Sequence, residues 1–162
     1  MILNPADVKI MNKDPVPLKA VHHVEFWVGN AKQAAYFYRK AFGFNQVAYS
    51  GLETGNRDRA SYVLEQGKIR MMFSTPLNSD NEISEHIKVH GDGVKDIAFH
   101  VDDAKACYEA CIARGAKSAA KPEVISDDNG SITKASIYTY GETIHSFISH
   151  NDYEGPLLPG FE

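Results

Sequence analysis

The chain repeats itself, and the repeat limits its fold more than any other feature. Val21-His22-His23-Val24-Glu25-Phe26-Trp27-Val28 aligns with Val94-Lys95-Asp96-Ile97-Ala98-Phe99-His100-Val101 at an offset of 94 − 21 = 73 residues. Valine stands at both ends of each segment, Val24 matches Ile97, and Phe26 matches Phe99. Both segments alternate apolar and polar side chains, the period of a half-buried strand. Both then run into a helix start, Gly29-Asn30-Ala31-Lys32 in the first copy and Asp102-Asp103-Ala104-Lys105 in the second. Asn30 and Asp103 suit the N-cap because their side chains accept from the orphan amides of the first turn. The helices are expected over 31–42 and 104–114, each stopping at a glycine, Gly43 or Gly115, that supplies the left-handed conformation.

Strand-like sequence follows each helix, over about 44–51, 59–66 and 68–75 and then about 117–125, 131–140 and 143–149. Glu65-Gln66-Gly67-Lys68 and Asp127-Asp128-Asn129-Gly130 read as tight turns. The modules 20–75 and 94–150 are therefore each βαβββ, joined by a linker, 76–93, with a short helix near Ile83 to His90. One such module leaves much of its sheet uncovered. Two side by side form a single α+β domain over 20–162, a curved eight-stranded mixed sheet with helices on its outer face. A length of 162 residues suits one such domain. The 43% hydrophobic and 23% charged content excludes a mostly disordered chain. A net charge of −4 leaves no basic footprint for nucleic acid, and no run of about 18 apolar residues marks a membrane span. Residues 1–19 read as a lead-in and not as a secretory signal, since charges and prolines interrupt any apolar run. Cys107 and Cys111, four apart on a helix, read as small apolar residues.

Alternation sorts the strand faces. Val24, Phe26 and Val28, and likewise Ile97, Phe99 and Val101, are expected to pack under the helices. His23, Glu25, Trp27, Asp96 and His100 are expected to point into the concave side, with Ala98, and to line a cup. His22 falls on the helix side as a boundary residue, and His150 at the end of the last strand. His86 and His90 have a spacing that binds zinc, but no third ligand is in view, so they read as a solvated helix face.

Paired βαβββ modules opening on a histidine-bearing strand resemble the vicinal oxygen chelate superfamily of glyoxalases, extradiol dioxygenases and bleomycin-resistance proteins. The runs Val24-Glu25-Phe26-Trp27-Val28-Gly29-Asn30-Ala31-Lys32, Gly51-Leu52-Glu53-Thr54-Gly55, His90-Gly91-Asp92-Gly93-Val94-Lys95-Asp96 and Leu157-Leu158-Pro159-Gly160-Phe161-Glu162 are more specific. They resemble the N-terminal domain of the 4-hydroxyphenylpyruvate dioxygenase family, with the hydroxymandelate synthases as a sister group. The resemblance implies a cytoplasmic, homo-oligomeric Fe(II) enzyme of tyrosine breakdown that makes homogentisate and CO₂. It also implies that the iron is held by two histidines and a glutamate of a C-terminal catalytic domain lying beyond this chain, which would be the partner of this one.

Carried onto this sequence, the superfamily's ligand positions fall on His23, Asp96 and Ser146. A serine hydroxyl neither neutralises Fe(II) nor donates to it well. The site reads as degenerate, leaving at most a weak site of His23 with Asp96 or Glu25, and no catalytic or cofactor-binding residue. The first expectation is therefore a non-catalytic half of the dioxygenase. The alternatives are a free-standing binding module for a small aromatic or keto acid, and a small glyoxalase-like metalloenzyme.

Overall fold

The helix of each module starts where its N-cap places it. In the computed structural model, which describes residues 14–162, Asn30 Oδ1 accepts from the Gln33 amide at 2.9 Å and Asp103 Oδ1 from the Ala106 amide at 2.9 Å. Residues 1–13 of the expected lead-in lie outside the described residues, and its last two residues are already strand. In chain order the elements are β1 (Leu18–Trp27), α1 (Ala31–Phe42), β2 (Asn45–Ser50), a 3-10 turn (Leu52–Thr54), β3 (Arg59–Gln66), β4 (Ile69–Pro76), α2 (Glu82–His90), β5 (Gly93–Val101), α3 (Ala104–Ala113), β6 (Ser118–Asp127), β7 (Gly130–Tyr138) and β8 (Ile144–His150). The strands form one sheet in the order β2-β3-β4-β1-β5-β8-β7-β6.

The repeat becomes a pseudo-two-fold axis. β1 and β5 pair antiparallel with Val24 opposite Ile97, which are equivalent residues of the two copies. β4 lies parallel to β1, and β8 parallel to β5, so each module repeats the same pairing. Under this symmetry His23 is the counterpart of Asp96, and Glu25 of Ala98.

The outer face of the sheet carries two apolar clusters, one per module. Ala31 and Ala35 of α1 pack on Val28, Phe44, Leu64 and Phe73, with Phe26 and Tyr38 at the margin. Ala104, Cys107 and Tyr108 of α3 pack on Val101, Ala135 and Phe147, with Phe99 alongside. Cys107 is a core residue, and burial raises both thiol pKa values, which suits inert packing.

The concave face is not left open along its length. Ala48, Val63, Met72, Ala98, Ile132 and Ile148 form a third cluster with Tyr153, Leu157 and Leu158 of the C-terminal tail. The tail ends by pairing with β2: the Tyr49 amide donates to the Glu162 carbonyl at 2.7 Å and the Glu162 amide to the Tyr49 carbonyl at 2.9 Å. It crosses the sheet as a strap. The hairpin at its root needs Gly130, whose φ is 113° and where a Cβ would stand 2.5 Å from the Asp152 carbonyl oxygen.

Candidate functional site

The centre of the cup is built across the β1–β5 seam. Glu25 and Asp96 are direct partners on neighbouring strands, and His23 stands beside them, fully buried. One donor atom from each of the three lies within 4.8 Å of the others. Trp27 joins them, its Nε1 donating to Glu25 Oε1 at 3.2 Å. Four of the five expected cup residues are thus brought together.

Each carboxylate rests on a pair of serines from the next two strands of its own module. Ser74 Oγ donates to Glu25 Oε1 at 2.7 Å, and Ser61 Oγ lies 2.8 Å from Ser74 Oγ. In the second module the Ser146 amide donates to Asp96 Oδ1 at 3.0 Å, Ser146 Oγ to Oδ2 at 2.5 Å, and Ser136 Oγ lies 2.8 Å from Ser146 Oγ. Arg59 approaches Glu25 at 3.7 Å. Burial raises the Asp96 pKa, opposed by Lys134 and the Ser146 hydroxyl and helped by the Glu25 charge. A cavity of about 510 Å³ opens above this floor, with Arg59, Lys95, Lys121 and Lys134 on its walls.

These residues do not fit the iron triad of the resembled family. The three positions offer one imidazole, one carboxylate and one hydroxyl, and that hydroxyl is already committed to the carboxylate. The triad requires two imidazoles and a carboxylate with free lone pairs. His23 Nε2 is buried without a hydrogen-bond partner among the described residues.

His22 and His100 depart from expectation. A register shift between Val21 and His23 marks a β-bulge at His22, which removes it from simple alternation. It is buried, its Nδ1 lies 2.7 Å from His23 Nδ1, and its Nε2 lies 3.0 Å from His150 Nε2. Burial first, then the neighbouring His150, lowers its pKa to about 3, and burial likewise lowers His23. His100 joins this chain and not the carboxylates, lining a separate cavity with His22, His150 and Arg70. His145 takes the opposite face, as alternation requires, with its ring 5.0 Å from that of Phe99.

His86 and His90 do have a third neighbour. Glu142, in the turn between β7 and β8, brings Oε2 to 3.3 Å from His86 Nδ1 and 3.4 Å from His90 Nε2. Glu142 is 52 residues beyond His90, and no local spacing in the sequence announces it. Of the serine pairs only Ser146 was singled out in the sequence; Ser61, Ser74 and Ser136, small polar residues inside apolar strands, were a usable signal.

The family model of the Glyoxalase/Bleomycin resistance protein/Dioxygenase superfamily matches residues 22–133. A 4-hydroxyphenylpyruvate dioxygenase of Tetrahymena thermophila is 50% identical over 145 residues, covering 86% of this chain and 36% of that protein. One from Dictyostelium discoideum is 49% identical over 146 residues, covering 89% and 40% respectively. This chain thus spans well under half the length of the curated relatives it matches. Among solved structures, a variant of 4-hydroxymandelate synthase from Streptomyces coelicolor superposes with a TM-score of 0.79 at 25% identity, covering 88% of this chain and 40% of that one. Methylmalonyl-CoA epimerase from the same organism shares the fold, with a TM-score of 0.69 at 17% identity over 86% of this chain and all of that one. With its paired modules, its seam-spanning cup and this match, the chain belongs to the glyoxalase, bleomycin-resistance and dioxygenase superfamily.

Proposed function

We propose that this chain is the N-terminal, non-catalytic half of a 4-hydroxyphenylpyruvate dioxygenase, the cytoplasmic enzyme that turns 4-hydroxyphenylpyruvate and O₂ into homogentisate and CO₂ in tyrosine breakdown. The observation that carries the reading is the 50% identity over 145 residues to a protein of that name. The floor of the cup supports it. Ser146 and Asp96 satisfy each other where the family's catalytic halves present metal ligands, and the tail covers the middle of the concave face. Fe(II), bound by two histidines and a glutamate of the other half, supplies the oxygen chemistry. In this half, the serines fix each carboxylate within its own module, and the helices offer surfaces for packing on the catalytic half and for homo-oligomer contacts.

The test compares two proteins supplied with Fe(II), 4-hydroxyphenylpyruvate and air. One is this chain alone. The other is this chain continued by the C-terminal portion of the Dictyostelium relative. Homogentisate is expected from the fusion only. Turnover by the isolated chain at a rate similar to the fusion would overturn the reading.

A further inference from the structure

We propose that His86, His90 and Glu142 form a zinc site that clamps the inter-module helix α2 to the β7–β8 turn. The site shares no residue with the cup, and it is independent of the reading given above.

The geometry points to a metal. Residues four apart on a helix lie on one face, and the two imidazole rings stand with centroids 4.8 Å apart. Both approach the same carboxylate oxygen, Glu142 Oε2, at 3.3 Å and 3.4 Å. An ion pair needs only one imidazole, whereas here two converge on one oxygen. Zinc bonds of about 2.0–2.1 Å in a tetrahedron set neighbouring ligand atoms about 3.3–3.4 Å apart. These two separations therefore match two edges of a zinc tetrahedron, and a donor atom from each of the three residues lies within 4.8 Å of the others. Two neutral imidazoles and one carboxylate are a zinc donor set, with the fourth position open to water.

The ligands are also held in place beforehand. α2 is capped by Asn81, whose side chain accepts from the Ile83 amide at 2.8 Å. The His86 side chain is 8% exposed, and its ring stands edge-on to Trp27 at 5.2 Å. Lys95 Nζ donates to the Glu142 carbonyl at 2.7 Å, and the turn is closed by the Thr139 amide donating to the Thr143 carbonyl at 2.9 Å. Two backbone segments 52 residues apart are thus fixed with their donors facing, so little ordering cost remains for the metal.

Trp27 is the one tryptophan of the chain and reports on the site through its contact with His86. The metal-stripped 162-residue chain is titrated with zinc chloride by calorimetry, and with Co(II) by visible absorption and Trp27 fluorescence. One equivalent of zinc in the micromolar range is expected, with a tetrahedral Co(II) spectrum, quenching of Trp27 and a raised Tm. His90→Gln and Glu142→Gln change exposed side chains and leave the fold intact by circular dichroism. Each is expected to weaken zinc binding about tenfold or more and to abolish the rise in Tm. Zinc binding of unchanged strength in both variants would place the metal elsewhere and overturn the proposal. So would binding by the parent chain only in the millimolar range.

Discussion

Asp96 and Glu25 show what single residues decide. Two acids meet on adjacent strands in a buried cup, and the serine pairs beneath them make the arrangement tolerable by donating where water would have. Asp96→Asn keeps an acceptor for the Ser146 amide, turns the other contact into an N–H donor to Ser146 Oγ, and removes a buried charge from beside Glu25. It is expected to leave stability within about 0.5 kcal/mol or to raise it, whereas Asp96→Ala strands the Ser146 donors and costs about 1–3 kcal/mol. Urea midpoints of the two variants against the parent check this, and equal loss in both would refute it. The histidine chain sets a pH response of definite sign. His22 takes up a proton near pH 3 when folded and near pH 6.5 when unfolded, and His23 is shifted the same way. Below pH 6.5 the unfolded chain binds protons that the folded chain refuses. Stability is therefore complete above pH 6.5 and falls toward pH 3, by up to about 1.4 kcal/mol per pH unit for each histidine. Denaturation midpoints at pH 7.5 and pH 5 measure the slope, and His22→Gln should flatten it. Alternation placed His23, Glu25, Trp27 and Asp96 correctly. It misplaced His22, because a bulge inserts one residue and the period of two no longer holds.

At the scale of elements, boundaries were legible wherever a cap or a glycine writes them into the chain. Asn30, Asp103 and Gly43 mark local hydrogen bonds and a local dihedral, and the helices follow. The tail is different. Leu157-Leu158-Pro159-Gly160-Phe161-Glu162 has no periodicity of its own, yet Leu157 is 2% exposed and the final residue pairs with β2. Its order derives wholly from what it covers. Leu157→Ala is expected to cost about 2–5 kcal/mol, as for other buried leucines, and to loosen the strap from Tyr49. Amide hydrogen exchange at Tyr49 alongside a urea titration reads both effects. A loss under 1 kcal/mol with unchanged protection of Tyr49 would show that the tail does not strap the sheet.

For the whole molecule, the repeat predicted two βαβββ modules in one curved mixed sheet, and the strand order agrees. The pairing of Val24 with Ile97 places the symmetry axis on the seam, where the least symmetric residues meet: the repeat equates His23 with Asp96 and Glu25 with Ala98, while across the seam Glu25 faces Asp96 and His23 faces Ala98. A duplicated fold thus carries a site that only one pairing of its halves assembles. The sequence by itself determined the modules, the helix limits and the strand faces away from the bulge, because periodicity, caps and turns act over a few residues. Only the tertiary structure decided which polar groups satisfy one another, that Glu142 reaches His86 and His90, and that the tail covers the middle of the concave face. The carboxylate–serine and histidine contacts among them join residues from 49 to 128 apart. They depend on sheet curvature, bulges and crossing strands, which no local pattern records.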